Sequence, residues 1–308
     1  MSPEETKQLF SPYLRGKLFV SELMCNHTSF RIGGPADLFF QPADLKDLQQ
    51  ALAIARQNNI PYFVLGGGNN LLVSDEGIRG IVVKPGCAFA RVELQSDTIL
   101  AGAGLSNSAF LQHIIERAIA GFEFLAGVPG TLGGALIMNA GTYLGEIVNV
   151  LKEAIFLTNT GNICTLKVNE LGLAYRSSSI PSGWVVLELL FKASLGNKDE
   201  IVAKVKELKE KRKASQPITY PNAGSIFKNP PGEYAWRLID SVGGRGLRYG
   251  NAQVSEQHAN FIMNLGEAKA RDVAALMREL QRRVMEKHKR KLVPEVALVG
   301  CWKEGVLL

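Results

Sequence analysis

Apolar and polar positions along the 308-residue chain alternate between helix-like and strand-like stretches. Leu45, Leu48, Leu52 and Ala55 recur at the spacing that makes one apolar helix face; Asp44 can cap the first turn and Asn58-Asn59 ends it. The short apolar run 60–65 reads as a strand, as do 80–84 and 98–103. A second helix is expected over 107–120, closed by Gly121. Strand-like segments follow at 154–157, 163–166 and 184–191. A long charged helix then begins near Asp199, with Ile201, Val205 and Leu208 on one face, and stops at Gln216-Pro217. Beyond it the pattern predicts a helix over 233–242 closed by Gly243-Gly244, a strand over 258–264, a long helix over 267–289 and a closing strand over 292–299. The long charged helix marks a boundary: a first domain over 1–212, to which the closing segment 293–308 returns, and a smaller one over 213–292.

Composition narrows the class. Hydrophobic residues make up 46% and charged residues 21%, which fits a globular chain with a proper core. Cys25, Cys87, Cys164 and Cys301 lie far apart with no histidine cluster beside them, so neither a disulfide framework nor a metal site is expected. The first ten residues lack a basic patch followed by an apolar run, and no apolar stretch reaches bilayer-spanning length. A cytoplasmic protein with no membrane insertion is expected. The net charge of +6 suits an anionic ligand. Its basic residues gather in two helical tracts, 204–213 and 282–291, but acidic residues interleave and no nucleic-acid motif is present, so no nucleic-acid partner is expected.

Two glycine-rich loops carry the first chemical signal. Gly66-Gly67-Gly68-Asn69-Asn70-Leu71 follows a strand directly, where glycine lets backbone N–H groups approach a phosphate closely. Neither the P-loop spacing nor the dinucleotide fingerprint is met, since Leu71 stands where a third glycine would be. Alone, the triplet reads as a tight turn. A second loop, Gly127-Val128-Pro129-Gly130-Thr131-Leu132-Gly133-Gly134, leads towards Asn139 and Gly141 and changes the balance to two backbone clamps on one diphosphate ligand.

The segments 26–37 (Asn-His-Thr-Ser-Phe-Arg-Ile-Gly-Gly-Pro-Ala-Asp), 66–72 and 126–135, with Asn222-Ala223-Gly224-Ser225-Ile226-Phe227-Lys228-Asn229-Pro230, resemble the UDP-N-acetylenolpyruvoylglucosamine reductase family from about residue 22 to 299. The resemblance implies an α+β fold: a two-lobed FAD-binding domain of the vanillyl-alcohol-oxidase/PCMH type plus a smaller α+β substrate-binding domain. It implies FAD held by Gly66, Gly67, Gly68, Asn69, Asn70, Leu71, Gly127, Pro129, Gly130, Gly133, Gly134, Asn139 and Gly141. The 60–75 segment has no histidine, so the flavin is expected to be non-covalent. It further implies NADPH as hydride donor and UDP-N-acetylglucosamine enolpyruvate as the small-molecule substrate, reduced to UDP-N-acetylmuramate for peptidoglycan. A monomer is expected.

Adding hydride to a double bond conjugated with a carboxylate generates an enolate-like anion, which needs charge stabilisation and an acid. By resemblance Ser225 is the proton donor, Arg176 in Tyr175-Arg176-Ser177-Ser178 holds the carboxylate, and Glu295 in Val293-Pro294-Glu295-Val296 helps stabilise the enolate. A serine hydroxyl is a poor acid in water, and an enolate carbon is a base strong enough to use it. Lys213, Asn229, Arg245 and His258 match substrate-contacting positions, where a solvated side chain is the competing reading. The segment 177–184 is too short for a tyrosine-bearing insert, which places the chain in the family's second class and leaves Tyr143 or Tyr220 as guesses for a substrate cap. With Arg176 in the first domain and Ser225 in the second, the active site is expected in the cleft between them. Two other readings stay open: a vanillyl-alcohol-type flavoprotein acting on another sugar or alcohol, and a flavin-binding protein without turnover.

Overall fold

The computed structural model describes residues 2–303. The chain forms two compact units: Met1–Val20, Leu38–Gly67 and Gly80–Arg212 make up the first, and Ser21–Asp37, Gly68–Arg79 and Lys213–Leu308 the second. Segments 21–37 and 68–79 and the closing strand thus group with 213–292, whereas the hydropathy pattern puts them with the first domain.

Helix α1 (Pro3–Phe10) opens the first unit, capped by Ser2. A four-stranded sheet has the order Lys17–Leu23, Pro35–Gln41, Ile78–Val83, Tyr62–Val64. Against it packs α2 (Leu45–Gln57), whose Leu48, Leu52 and Ala55 bury with Phe10, Leu38, Phe40, Ile81 and Val83. Asp44 caps α2 as its side chain accepts from Asp47 N. The Asp47 carboxylate in turn accepts from the backbone N–H groups of Arg15, Gly16 and Ala43 at 2.8–2.9 Å, fastening the preceding loops to the helix.

A five-stranded antiparallel sheet has the order Ile163–Lys167, Leu151–Leu157, Val185–Lys192, Thr98–Gly102, Val92–Gln95. Its core includes Phe110, Phe122 and Phe191, whose ring centroids lie 5.3–5.5 Å apart, within the range where tilted and edge-on aromatic pairs attract. Helix α3 (Asn107–Glu116) ends four residues earlier than its apolar pattern predicts. Ala118 takes a left-handed φ of 53°, and Ile119–Ala120 pairs instead with Ser194–Leu195. Burial of Ile119 outweighs another helical turn. Helices α4 (Leu132–Ile137), α5 (Ile147–Val150) and α6 (Lys198–Ser215) follow, and α6 buries the expected Ile201, Val205 and Leu208.

In the second unit, α7 (Ala235–Ser241) and α8 (Ala270–His288) accompany an antiparallel three-stranded sheet, Arg248–Tyr249, Ala252–Val254 and Ile262–Asn264. Val254, Ile262, Val273, Leu276, Met277 and Leu280 bury together with Phe30, Leu72 and Phe227. The predicted strand over 258–264 is only half formed: Ser255 Oγ accepts from the N–H groups of Gln257 and His258, and this turn consumes residues up to Phe261. Asp75 reaches across sequence to accept from the N–H groups of Ala270 and Arg271 at 2.8 and 3.1 Å, satisfying donors that the first turn of α8 cannot pair internally. The closing strand shortens to Ala297–Val299 and pairs in parallel with Leu71–Val73.

Candidate active site

In the first unit Gly66, at the start of the first glycine loop, meets the second loop. Gly66 lies so close to the second loop that a Cβ on it would sit 2.9 Å from Thr131 Oγ1 and 3.9 Å from the Gly134 backbone, so a larger side chain would push the loops apart. Thr131 caps α4 through its hydroxyl, which accepts from Gly134 N. The N–H groups of Leu132 and Gly133 are spent on the carbonyls of Leu105 and Ala103. Among the described residues no acceptor is found for the N–H groups of Gly66, Gly67, Gly130 and Thr131. Close-packed loops that carry unspent backbone donors suit a diphosphate, so these residues fit the phosphate portion of FAD. A cavity of about 650 Å³ is lined by Ser106, Leu111, Ile115, Val128, Gly130 and Lys209 among others.

Asn139 and Gly141 hold the neighbouring chain. Asn139 is buried with a left-handed φ of 41°; its Nδ2 donates to Glu146 Oε2 (2.9 Å) and Ala174 O (3.2 Å), and its Oδ1 accepts from Val148 N. Ala174 and Ser177 exchange both backbone hydrogen bonds at 3.1 Å, so Tyr175-Arg176 forms a two-residue turn with Arg176 at φ 53°. A left-handed arginine costs roughly 1–2 kcal/mol. Its Nη2 donates to Gly141 O at 2.8 Å, Nη1 lies 3.7 Å from Glu146 Oε1, and the guanidinium sits 5.1 Å from the Tyr175 ring centroid. Three separate contacts therefore fix the plane of one strained cation.

The second unit brings Ser225 and Glu295 onto neighbouring segments. Ser225 bridges antiparallel to Phe261, and Ile226 N donates to Asn260 O at 2.9 Å. On the other side Glu295 N donates to Ile226 O at 2.8 Å and Lys228 N to Val293 O at 2.8 Å. Asn260 closes the arrangement from within: its Oδ1 accepts from Phe227 N (3.0 Å) and its Nδ2 donates to Phe227 O (2.8 Å), imitating a missing strand. Asn70 from the first glycine loop donates through Nδ2 to Glu295 O at 2.9 Å and accepts from Ala297 N at its own carbonyl. Gly68 O accepts from Ser29 N, while Leu71 begins the strand beside Ala297. Asn69 sits in the turn between them.

The weaker candidates separate. Asn229 is exposed and spends its Oδ1 on Ala235 N, the first amide of α7. Lys213 is exposed in the last turn of α6. Pro129 and Gly127 are exposed on the second loop, and Tyr143 and Tyr220 are both exposed. Arg245 donates to Asp240 Oδ1 at 2.6 Å and to the Glu256 carbonyl. His258 packs edge-on to Phe261, ring centroids 4.8 Å apart, and its Nδ1 accepts from Asn260 N, which leaves the proton of the neutral ring on Nε2. Burial, aided by the Arg245 charge, pushes the His258 pKa below its ordinary value. The folded state therefore favours neutral imidazole. Stability from this group is complete above the unfolded value of about 6.5 and is lost as pH falls from there towards the folded value. His258→Phe is expected to flatten the stability–pH curve in that window, as read by urea midpoints; an unchanged slope would contradict it.

Two residues of the first unit escaped the sequence pattern. Arg212 belongs to a tract that reads as a solvated face, yet it is half-buried against Gly127 and burial pushes its pKa down. Asn107 reads only as a helix start, yet its side chain reaches the carbonyls of the second loop.

The comparisons with known proteins bear on the whole chain. Residues 36–167 match an FAD binding domain, and residues 216–299 match the C-terminal domain of UDP-N-acetylenolpyruvoylglucosamine reductase. The reductase of Clostridium tetani is 44% identical over 281 residues, 91% of each chain. The chain belongs to the UDP-N-acetylenolpyruvoylglucosamine reductase family. The reductase of Caldanaerobacter subterraneus subsp. tengcongensis is also 44% identical, over 92% of this chain and 94% of its own. Among solved structures, the family member from Thermus caldophilus superposes with a TM-score of 0.79 at 36% identity, covering 93% of this chain and 99% of its own. A glucose-oxidase variant of Phl p 4 matches at a TM-score of 0.50 and 13% identity over 63% of this chain and 44% of its own, a likeness of fold alone. The family assignment and the α+β fold with its FAD-binding domain are borne out, and the chain is an oxidoreductase of an FAD-dependent family. Among the described residues no helix is long and apolar enough to cross a membrane, and no cluster of potential metal ligands is found.

Proposed function

We propose that the protein reduces UDP-N-acetylglucosamine enolpyruvate to UDP-N-acetylmuramate, a step of peptidoglycan precursor synthesis in the cytoplasm. Non-covalent FAD, recharged by NADPH, would supply hydride to C3 of the enolpyruvyl group. The N–H groups of Gly66, Gly67, Gly130 and Thr131 would hold the cofactor's diphosphate. Arg176 pairs with the substrate carboxylate and keeps its charge favourable as the enolate develops; a planar guanidinium does this with two parallel hydrogen bonds. Glu295 shares in stabilising the enolate. Ser225 gives its hydroxyl proton to C2 and recovers one from solvent afterwards. Lys213, Asn229, Arg245 and His258 are the substrate contacts that the resemblance supports.

The observation that carries this reading is the 2.8 Å bond from Glu295 N to Ile226 O, the residue after Ser225. It sets the backbone of the Ser225 segment beside that of Glu295, inside the segment matched by the reductase C-terminal domain, which supports assigning both to one site. The test is NADPH consumption by purified flavoprotein upon addition of the enolpyruvyl sugar nucleotide, with UDP-N-acetylmuramate identified as product. A yellow protein that leaves NADPH untouched would overturn it.

Arg176→Lys preserves the charge and loses the fork. It is expected to lower kcat at least about tenfold, the loss of one charge-assisted hydrogen bond of roughly 1.5–3 kcal/mol. Stability should change little, because lysine inherits the same left-handed backbone. Steady-state kinetics and thermal unfolding together check this; unchanged kcat would remove Arg176 from the reaction.

A further inference from the structure

The second glycine loop owes its shape to a residue outside it. Asn107, the first residue of α3, is 1% exposed, and its Nδ2 donates to the carbonyls of both Val128 and Pro129 at 3.3 Å. Its backbone N–H donates to the next carbonyl, Gly130 O, at 2.9 Å. Three consecutive carbonyls are thus drawn towards one residue. In a trans peptide the carbonyl and the following N–H point in opposite directions. Fixing Pro129 O therefore aims the Gly130 N–H away from Asn107, and fixing Gly130 O does the same for Thr131 N–H. These two amides lack a protein acceptor among the described residues. Gly130, at φ 112°, supplies the backbone freedom for successive peptides to be set this way.

A second observation bears on the amide itself. Asn107 Oδ1 is buried with no hydrogen-bond partner. Turning the amide over would satisfy nothing, since it would put Oδ1 against two carbonyl oxygens. The side chain leaves its acceptor unpaired and uses its donor end on the loop, an arrangement that buried polar groups rarely tolerate without a function.

We propose that Asn107 is a positioning residue that presets the loop 128–131 as an anion-binding nest for the diphosphate of FAD. The proposal rests on the cofactor reading above. Asn107 does not touch the cofactor; it removes the reorganisation that the loop would otherwise undergo on binding.

The test compares Asn107→Leu, similar in shape without donor or charge, and Asn107→Asp, which keeps the acceptor only, with the parent. FAD dissociation constants are measured by flavin fluorescence on stripped protein, alongside thermal unfolding of the same flavin-free protein and kcat at saturating FAD. One misaimed donor to a charged group predicts an FAD dissociation constant raised tenfold or more in both variants. The flavin-free melting temperature should stay close to the parent in Asn107→Leu, because the released carbonyls of Val128 and Pro129 lie on a loop that is not buried. Asn107→Asp turns a buried carboxyl onto the same two carbonyls and should melt lower, so its affinity is read against that drop. In both, kcat at saturating FAD should stay within about threefold, since one tenfold factor marks a single interaction. If FAD affinity is unchanged in Asn107→Leu, or if it falls only in step with the stability of the flavin-free protein, the positioning role is overturned. A weakening confined to Asn107→Asp would be charge repulsion and would also overturn it. A parent protein that binds no FAD would instead refute the cofactor reading.

Discussion

Ser225→Ala is expected to slow substrate reduction at least about a hundredfold, the low end for a positioned general acid. Flavin binding should be unaffected, because the amides proposed to hold the cofactor's diphosphate, those of Gly66, Gly67, Gly130 and Thr131, belong to the first unit and Ser225 to the second. Its position is set by backbone rather than by its own oxygen. Gly224 turns at φ 76° under the Asn222 side chain, which accepts from Gly224 N, and Ile226 and Phe227 are each 1% exposed in the core. Alanine fits the same place, so lost activity would report lost chemistry. The measurement is turnover at saturating NADPH and substrate, with far-ultraviolet circular dichroism as the check on folding. A variant that turns over at the parent rate would eliminate Ser225 as donor and leave the family assignment standing.

Asn260→Ala is expected to cost about 2–4 kcal/mol of stability, the sum of two buried backbone groups left unsatisfied. Phe227 N and Phe227 O both rely on this one side chain, and the segment they belong to carries Ser225. In Asn260→Asp a protonated carboxyl accepts from Phe227 N and donates to Phe227 O, so its loss should be smaller, whereas a charged carboxylate has no donor for Phe227 O and its loss should be at least as large. Urea unfolding of the flavin-loaded protein measures both. A change below about 0.5 kcal/mol in Asn260→Ala would mean that the strand is held without it.

What was legible in the sequence was local. The glycine loops and the nine residues around Ser225 are continuous motifs, and helix α2 declares itself through Asp44 and a regular apolar face. What was hidden depends on contacts distant in sequence. Asn107 meets a loop twenty-one residues on, and Asn260 meets Phe227 thirty-three residues back. Asp75 serves α8 from 195 residues away. Arg212 looks like its solvated neighbours until the turn at Gly127 packs on it. The strands Lys17–Leu23 and Pro35–Gln41 are additional to those the pattern predicts, and the first, an edge strand, buries no residue completely.

We propose that flavin-held electrons pass to the enolpyruvyl group and not to oxygen. The most direct measurement mixes NADPH-reduced protein anaerobically with UDP-N-acetylglucosamine enolpyruvate and follows the oxidised flavin absorbance. Rapid return of that absorbance, matched by UDP-N-acetylmuramate in equal amount and slowed at least about a hundredfold by Ser225→Ala, is the predicted result. A flavin that stays reduced until oxygen is admitted would contradict it and leave an oxidase acting on another sugar or alcohol.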